Sequence, residues 1–202
     1  VVRVEDGRVL IPNLSVNSGY GTPTVEGDVV YHFGPGMGSA TQLVMLDRDT
    51  VAARRLWTCQ TNKGFEPCLS PFEGFLYANL AIPNVGGQGD GGYGVWDAKT
   101  GRRVARHVNP DWPLYAKASG RHYIETSVAG GLVFCGDSGE AFGGKHIPQA
   151  NFTVLEAKPQ GRIIAQNGLP PRSNAALAFD RDRFYYRNTS SVICVGYTGE
   201  EG

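Results

Sequence analysis

Long apolar runs are missing from this 202-residue sequence. No stretch approaches the roughly 18 residues that would suggest a membrane-spanning helix. Net charge is missing as well: Lys and Arg total 19 and Asp and Glu total 19. A neutral chain gives no electrostatic reason to expect nucleic acid or an anionic membrane as partner. No segment holds a 3.6-residue apolar period over three turns, which argues against helices between strands. The four cysteines at 59, 68, 135 and 194 form no CxxC pair, and no His/Cys cluster has zinc-finger spacing. Cys59 and Cys68 are near enough in sequence for either a bridge or two free thiols, while Cys135 and Cys194 read as small buried hydrophobes inside strands. The cysteines therefore leave the compartment open. The start Val1-Val2-Arg3 carries neither an initiator methionine nor a signal-peptide pattern, as expected of a processed or trimmed chain.

What the sequence has in abundance is glycine, 28 residues set among aromatic and β-branched runs, with aromatics at 10%. That mixture predicts short strands joined by tight turns rather than collagen or disorder. One element recurs: a short apolar strand, a Gly/Asp turn, then a strand ending in an aromatic. Copies run from Thr22 to Tyr31, Ser70 to Tyr77 and Ser127 to Phe134, with a degenerate copy from Ala176 to Tyr186. Each reads as a hairpin, because Gly, or Asp tolerating positive φ, suits a short turn. A second element follows: an apolar strand, an acidic residue, a polar turn and another strand. Its copies are Val44–Thr50 running on to Trp57, Val95–Gly101 to Val104, Val154–Gly161 to Ile164, and Val192–Gly199. Val2–Leu10 reads as the second element of a unit whose first half is absent.

Two hairpins per unit make a four-stranded antiparallel sheet repeated every 40 to 60 residues or so, the period of a β-propeller blade. The predicted fold is all-β: a propeller of four-stranded blades in one domain over 1–202. Residues 1–16 end a partial blade, 17–60, 66–108 and 121–167 are blades, and 174–202 is an incomplete one. A β-sandwich of the same strands is the alternative. The regular alternation of the two hairpin types favours the propeller.

Asp97-Ala98-Lys99-Thr100-Gly101 resembles the acidic-x-x-Thr-Gly turn of the pyrroloquinoline-quinone (PQQ)-like repeat family. In that family a tryptophan farther along the outer strand docks against the neighbouring blade, and Trp57 fits that position in the first unit. Trp57, Asp97, Thr100 and Gly101 are thus the expected docking residues. Val51 replaces the glycine in the first unit, Pro159-Gln160 replaces the threonine in the third, and the other units lack the tryptophan. Family propellers usually have seven or eight blades, so about four implies part of a larger chain or complex, with a closed small propeller whose last blade the amino-terminal strands complete as the alternative. The resemblance also implies extracytoplasmic residence, periplasmic or secreted.

Topology places the expected site. Connections within hairpins emerge on one face, and connections between hairpins and between blades emerge on the other. The latter are long: His32 to Gln42, Ala78 to Gly92, Gly136 to Asn151 and Ala105 to Glu125. Loops of more than about 12–15 residues in a compact domain tend to be functional or disordered. This face is expected to hold His32, Asp90, Asp111, Trp112, His122, Glu125, Asp137, Glu140, Lys145 and His146, with Trp112, His122, Glu125, Asp137, Lys145 and His146 as binding residues. His122, Glu125 and His146 have the chemistry of a metal site, but exposed loop residues of these types are common, and no metal is expected. Gly86–Gly94 reads either as an anion cradle of backbone N–H groups or as a plain glycine-rich connection.

The quinoprotein dehydrogenases of this superfamily hold PQQ over calcium and commonly carry a ring disulfide between adjacent cysteines. No two cysteines here are adjacent, and the calcium ligands have no residue-by-residue match. No cofactor is therefore expected, with PQQ and calcium as the alternative. The leading expectation is a non-catalytic scaffold that binds a protein partner, or alternatively a glycan. A quinoprotein-type oxidoreductase and a sugar-active propeller enzyme stand behind it.

Overall fold

The computed structural model describes residues 1–12, 14, 23–34, 37–60, 69–79, 93–107, 126–136, 150–169, 177–187 and 190–196. Among them every regular element is a strand, and the strands form four antiparallel sheets. The first comprises β1 (Thr24–Glu26), β2 (Val29–Gly34), β3 (Met37–Met45) and β4 (Val51–Gln60). The second comprises β5 (Ser70–Phe72), β6 (Phe75–Asn79), β7 (Tyr93–Asp97) and β8 (Arg103–His107). The third comprises β9 (Ser127–Ala129), β10 (Leu132–Gly136), β11 (Ala150–Glu156) and β12 (Ile163–Leu169). The fourth has three strands, β13 (Ala178–Asp180), β14 (Arg183–Arg187) and β15 (Val192–Gly196).

In every sheet the spatial order equals the chain order, so each is a meander that begins at a short edge strand. The reason lies in the turns. In the β5–β6 turn Glu73 (φ +48°) and Gly74 (φ +79°) both adopt the backbone region that favours glycine, and in the degenerate fourth copy Arg181 (φ +55°) does the same. The second turn of a sheet is tied to its first: the Ala98 amide donates to the Gly74 carbonyl at 2.9 Å, and the Ala157 amide to Gly131 at 2.8 Å. Both tight turns of these sheets therefore share one edge. The last strands of the first three sheets, β4, β8 and β12, each carry one register irregularity against the strand before them. Such a bulge twists an edge away from unwanted pairing.

Alternating residues of the second and third sheets face opposite neighbours, and three apolar clusters fill the gaps between sheets in sequence order. Tyr31, Phe33, Ala40 and Trp57 of the first sheet meet Leu76, Ala78 and Trp96 of the second. Tyr77 and Val95 on the other face of the second sheet meet Val133, Cys135 and Leu155 of the third. Phe152 and Phe134 of the third meet Tyr186, Phe184 and Ile193 of the fourth. Phe33 sits edge-on to Trp96, and Phe152 stacks on Phe184 at 5.3 Å, geometries that aromatic pairs prefer. The sheets do not close into a barrel or ring among the described residues.

One expected connection is corrected. The segment from His32 to Gln42 is not a long loop: β2 and β3 stay paired from Val29↔Gln42 to Gly34↔Met37, leaving only residues 35 and 36 between them. Small residues keep this strand going because the space beside them is already filled. A Cβ on Gly38 would lie 2.6 Å from the Phe33 ring and 2.8 Å from Cys59 Sγ.

Candidate binding edge and its docking turns

The turn at Asp97 shows how a short acidic segment builds a docking platform. Asp97 Oδ1 accepts the amides of Lys99 at 3.1 Å and Thr100 at 2.8 Å, together with the Thr100 hydroxyl at 2.8 Å. These bonds, the Thr100 hydroxyl first, hold the carboxyl below its ordinary range. The Gly101 amide closes the turn onto the Asp97 carbonyl, and Gly101 adopts φ +69°. A Cβ at Gly101 would lie 2.4 Å from the Trp57 ring, so the glycine provides both the turn and the seat. Trp57, projecting from β4 of the first sheet, donates its indole N–H to the Ala98 carbonyl at 2.8 Å. The turn at Asp47 is built alike, Asp47 accepting the Asp49 amide at 2.8 Å, whereas Glu156 instead pairs across its turn with Arg162 at 2.8 Å; the carboxyl is held low in both.

Two further contacts repeat the Trp57 dock at positions that the sequence reading passed over. His107, at the end of β8, lies 2.7 Å through Nε2 from the Pro159 carbonyl in the next sheet's turn. Its spacing from Asp97 equals that of Trp57 from Asp47, which is the signal that reveals it. Ahead of the first sheet, Arg3 donates to the Arg48 carbonyl at 3.0 Å and pairs with Asp49 at 2.6 Å. Arg48 follows Asp47 as Ala98 follows Asp97. Val2 and Val9 form a β-bridge and Arg3 also pairs with Asp6, so this N-terminal segment presents its cation to the turn as a small hairpin. An outer-element donor thus reaches a turn carbonyl of the next unit three times.

The opposite edge carries the long connections. In an antiparallel meander, strand ends joined by 80–92 and by 137–149 lie away from the tight turns, as do those joined by 61–69, 108–126 and 170–177. The expected binding residues Trp112, His122, Glu125, Asp137, Lys145 and His146 fall in these connections and lie outside the described residues, as do Asp90, Asp111, Glu140 and Gly86–Gly92. His32 is different: it belongs to β2, opposite Ser39, and is only 3% exposed. Burial pushes its imidazole below the ordinary value, and it is an interior strand residue rather than part of a binding loop. Among the described residues Cys59, Cys135 and Cys194 form no disulfide, and Cys68 lies outside them; Cys135 is buried in its strand as expected, whereas Cys194 is exposed, a correction to the reading of it as a buried hydrophobe. Among the described residues no group of three His, Cys, Asp or Glu side chains is arranged to hold a metal, and no helix is long and apolar enough to cross a membrane.

No protein-family model matches the sequence, and no curated protein matches it.

Proposed function

We propose that the chain is a run of PQQ-like β-propeller blades that acts as a non-catalytic binding or assembly scaffold, with its partner, a protein, held at the long-connection edge. The supporting observation is the repeated dock, in which Arg3, Trp57 and His107 each reach a turn carbonyl of the following unit. This device uses up the tight-turn edge in holding the sheets together. The opposite edge is left with the connections where binding residues concentrate in scaffold folds. Extracytoplasmic residence belongs to the same reading and rests on the resemblance.

Site-specific photocrosslinking tests the proposal. A photoreactive residue is placed singly at Trp112, His122 or Lys145, and for comparison at Asp28, Lys99 or Asp182. Partner adducts are expected from the first group only. Adducts confined to the second group would reverse the assignment of edges. Calorimetry with PQQ and calcium is the companion measurement. Stoichiometric, calcium-dependent binding would replace the scaffold reading with a quinoprotein one.

A further inference from the structure

The gap between the second and third sheets buries two hydroxyls that no protein group pairs. Tyr77 of β6 is 0% and Thr153 of β11 is 4% exposed. Neither the Tyr77 phenol oxygen nor Thr153 Oγ1 has a hydrogen-bond partner among the described residues. The two belong to facing walls. Tyr77 packs in the apolar cluster with Val133, Cys135 and Leu155 of the third sheet. Thr153 stands directly opposite Cys135 in the β10–β11 register. Directly paired residues of an antiparallel sheet project from the same face, with Cβ atoms roughly 5 Å apart. Thr153 therefore lies beside Cys135, on the face turned toward the second sheet.

Smaller side chains line this gap than line its neighbours. The first gap holds Tyr31, Phe33, Trp57 and Trp96, and the third holds Phe134, Phe152, Phe184 and Tyr186. In the second, Tyr77 is the one aromatic among the buried members described, with Phe72 and Phe75 packed at the margin. The residue before the turn acid is Trp96 in the second sheet and Leu155 in the third. The polar groups are complementary. Burial, and then the charge of Glu73, push the Tyr77 hydroxyl up to about 12, so it keeps its proton and can donate. Thr153 Oγ1 can donate or accept. Cys135 Sγ, which donates to the Thr153 carbonyl at 3.7 Å, adds a weak acceptor.

From this arrangement we infer that the second gap is a binding site for an internal water, held between the Tyr77 hydroxyl and Thr153 Oγ1 with Cys135 Sγ beside it. A buried hydroxyl left unpaired costs its full desolvation, and two on facing walls can be satisfied by one shared partner. Water is the ligand that fits, because it both donates and accepts and needs at least two polar partners in an interior site. A gap lined by apolar groups alone would stay dry. The bridge links β6 to β11 and does not depend on what binds at the long-connection edge.

A double-mutant cycle on the full chain tests this. Tyr77→Phe and Thr153→Val each delete one hydroxyl and keep the shape of the side chain. In urea titration each should raise the unfolding equilibrium constant by about two- to tenfold, the worth of one net hydrogen bond. The double variant should raise it no further than the larger single, because the second deletion removes a bridge already broken. On a Thr153→Ser background, which keeps the hydroxyl, Tyr77→Phe should shift the constant as much as it does in the wild type. Water-selective NMR on the wild-type protein should show a water cross-peak at the Thr153 methyl group, and Tyr77→Phe should remove it. Single shifts that multiply in the double variant, a single variant as stable as the wild type or more so, or a Thr153 methyl without a water contact would each overturn the inference.

Discussion

Trp57 combines bulk and direction. Its ring fills the space between the first two sheets beside Tyr31 and Phe33, and its N–H fixes the Asp97 turn by bonding the Ala98 carbonyl. Trp57→Ala removes a large buried ring and should cost roughly 3–5 kcal/mol of unfolding free energy in urea titration. Trp57→Phe keeps much of the ring and loses the donor, so about 1 kcal/mol is expected. Equal costs for the two variants would mean that the hydrogen bond carries the dock. Asp97 gives a pH signature. Its folded carboxyl is held low, so its contribution to stability is complete above the ordinary carboxylate value of about 4 and is lost as pH falls through the folded value. Asp97→Asn should flatten that acid limb of the stability profile, and an unchanged limb would place the effect elsewhere. The tryptophan and the acidic turn were legible in the sequence because both are chemically distinctive. Arg3 and His107 were not, because a different residue type carries the same donor at each dock.

Hairpins are the elements that the sequence announces most clearly, since Gly and Asp at fixed offsets between apolar pairs leave few other conformations. The β2–β3 connection was mis-sized for a physical reason. Gly34, Gly36 and Gly38, with Ser39 and Ala40, look like a loop by composition, yet at Gly38 the space beside the strand is already taken by Phe33 and Cys59, and Ala40 packs in the cluster with Trp57. Local propensity lost to side-chain packing from the neighbouring strand. Gly38→Ala tests this. The added methyl meets a ring and a sulfur well inside normal contact distance, so destabilisation of about 1–3 kcal/mol is expected. A neutral result in thermal and urea unfolding would mean that β3 has room and that another factor holds it in register. The long connections offered no comparable signal, because their polar and glycine-rich composition fits many conformations equally well.

At the scale of the molecule, four sheets meet one after another, and the two faces of the second and of the third sheet serve different neighbours. The alternation of hairpin types made the sheets and their order legible, but of the contacts between them only the Trp57 dock. The others depend on which residues of the first and last strands reach across. The serial arrangement makes a geometric claim that distinguishes it from two sheets packed as a sandwich, where alternate sheets would lie side by side. Nitroxides placed through an encoded reactive residue on the first turns at Asp28, Glu73, Gly130 and Asp182, one per sheet, allow the distances to be measured by pulsed electron resonance. The account predicts that 28–73, 73–130 and 130–182 are alike and that 28–130 is clearly longer than 28–73. A 28–130 distance equal to or shorter than 28–73 would contradict it.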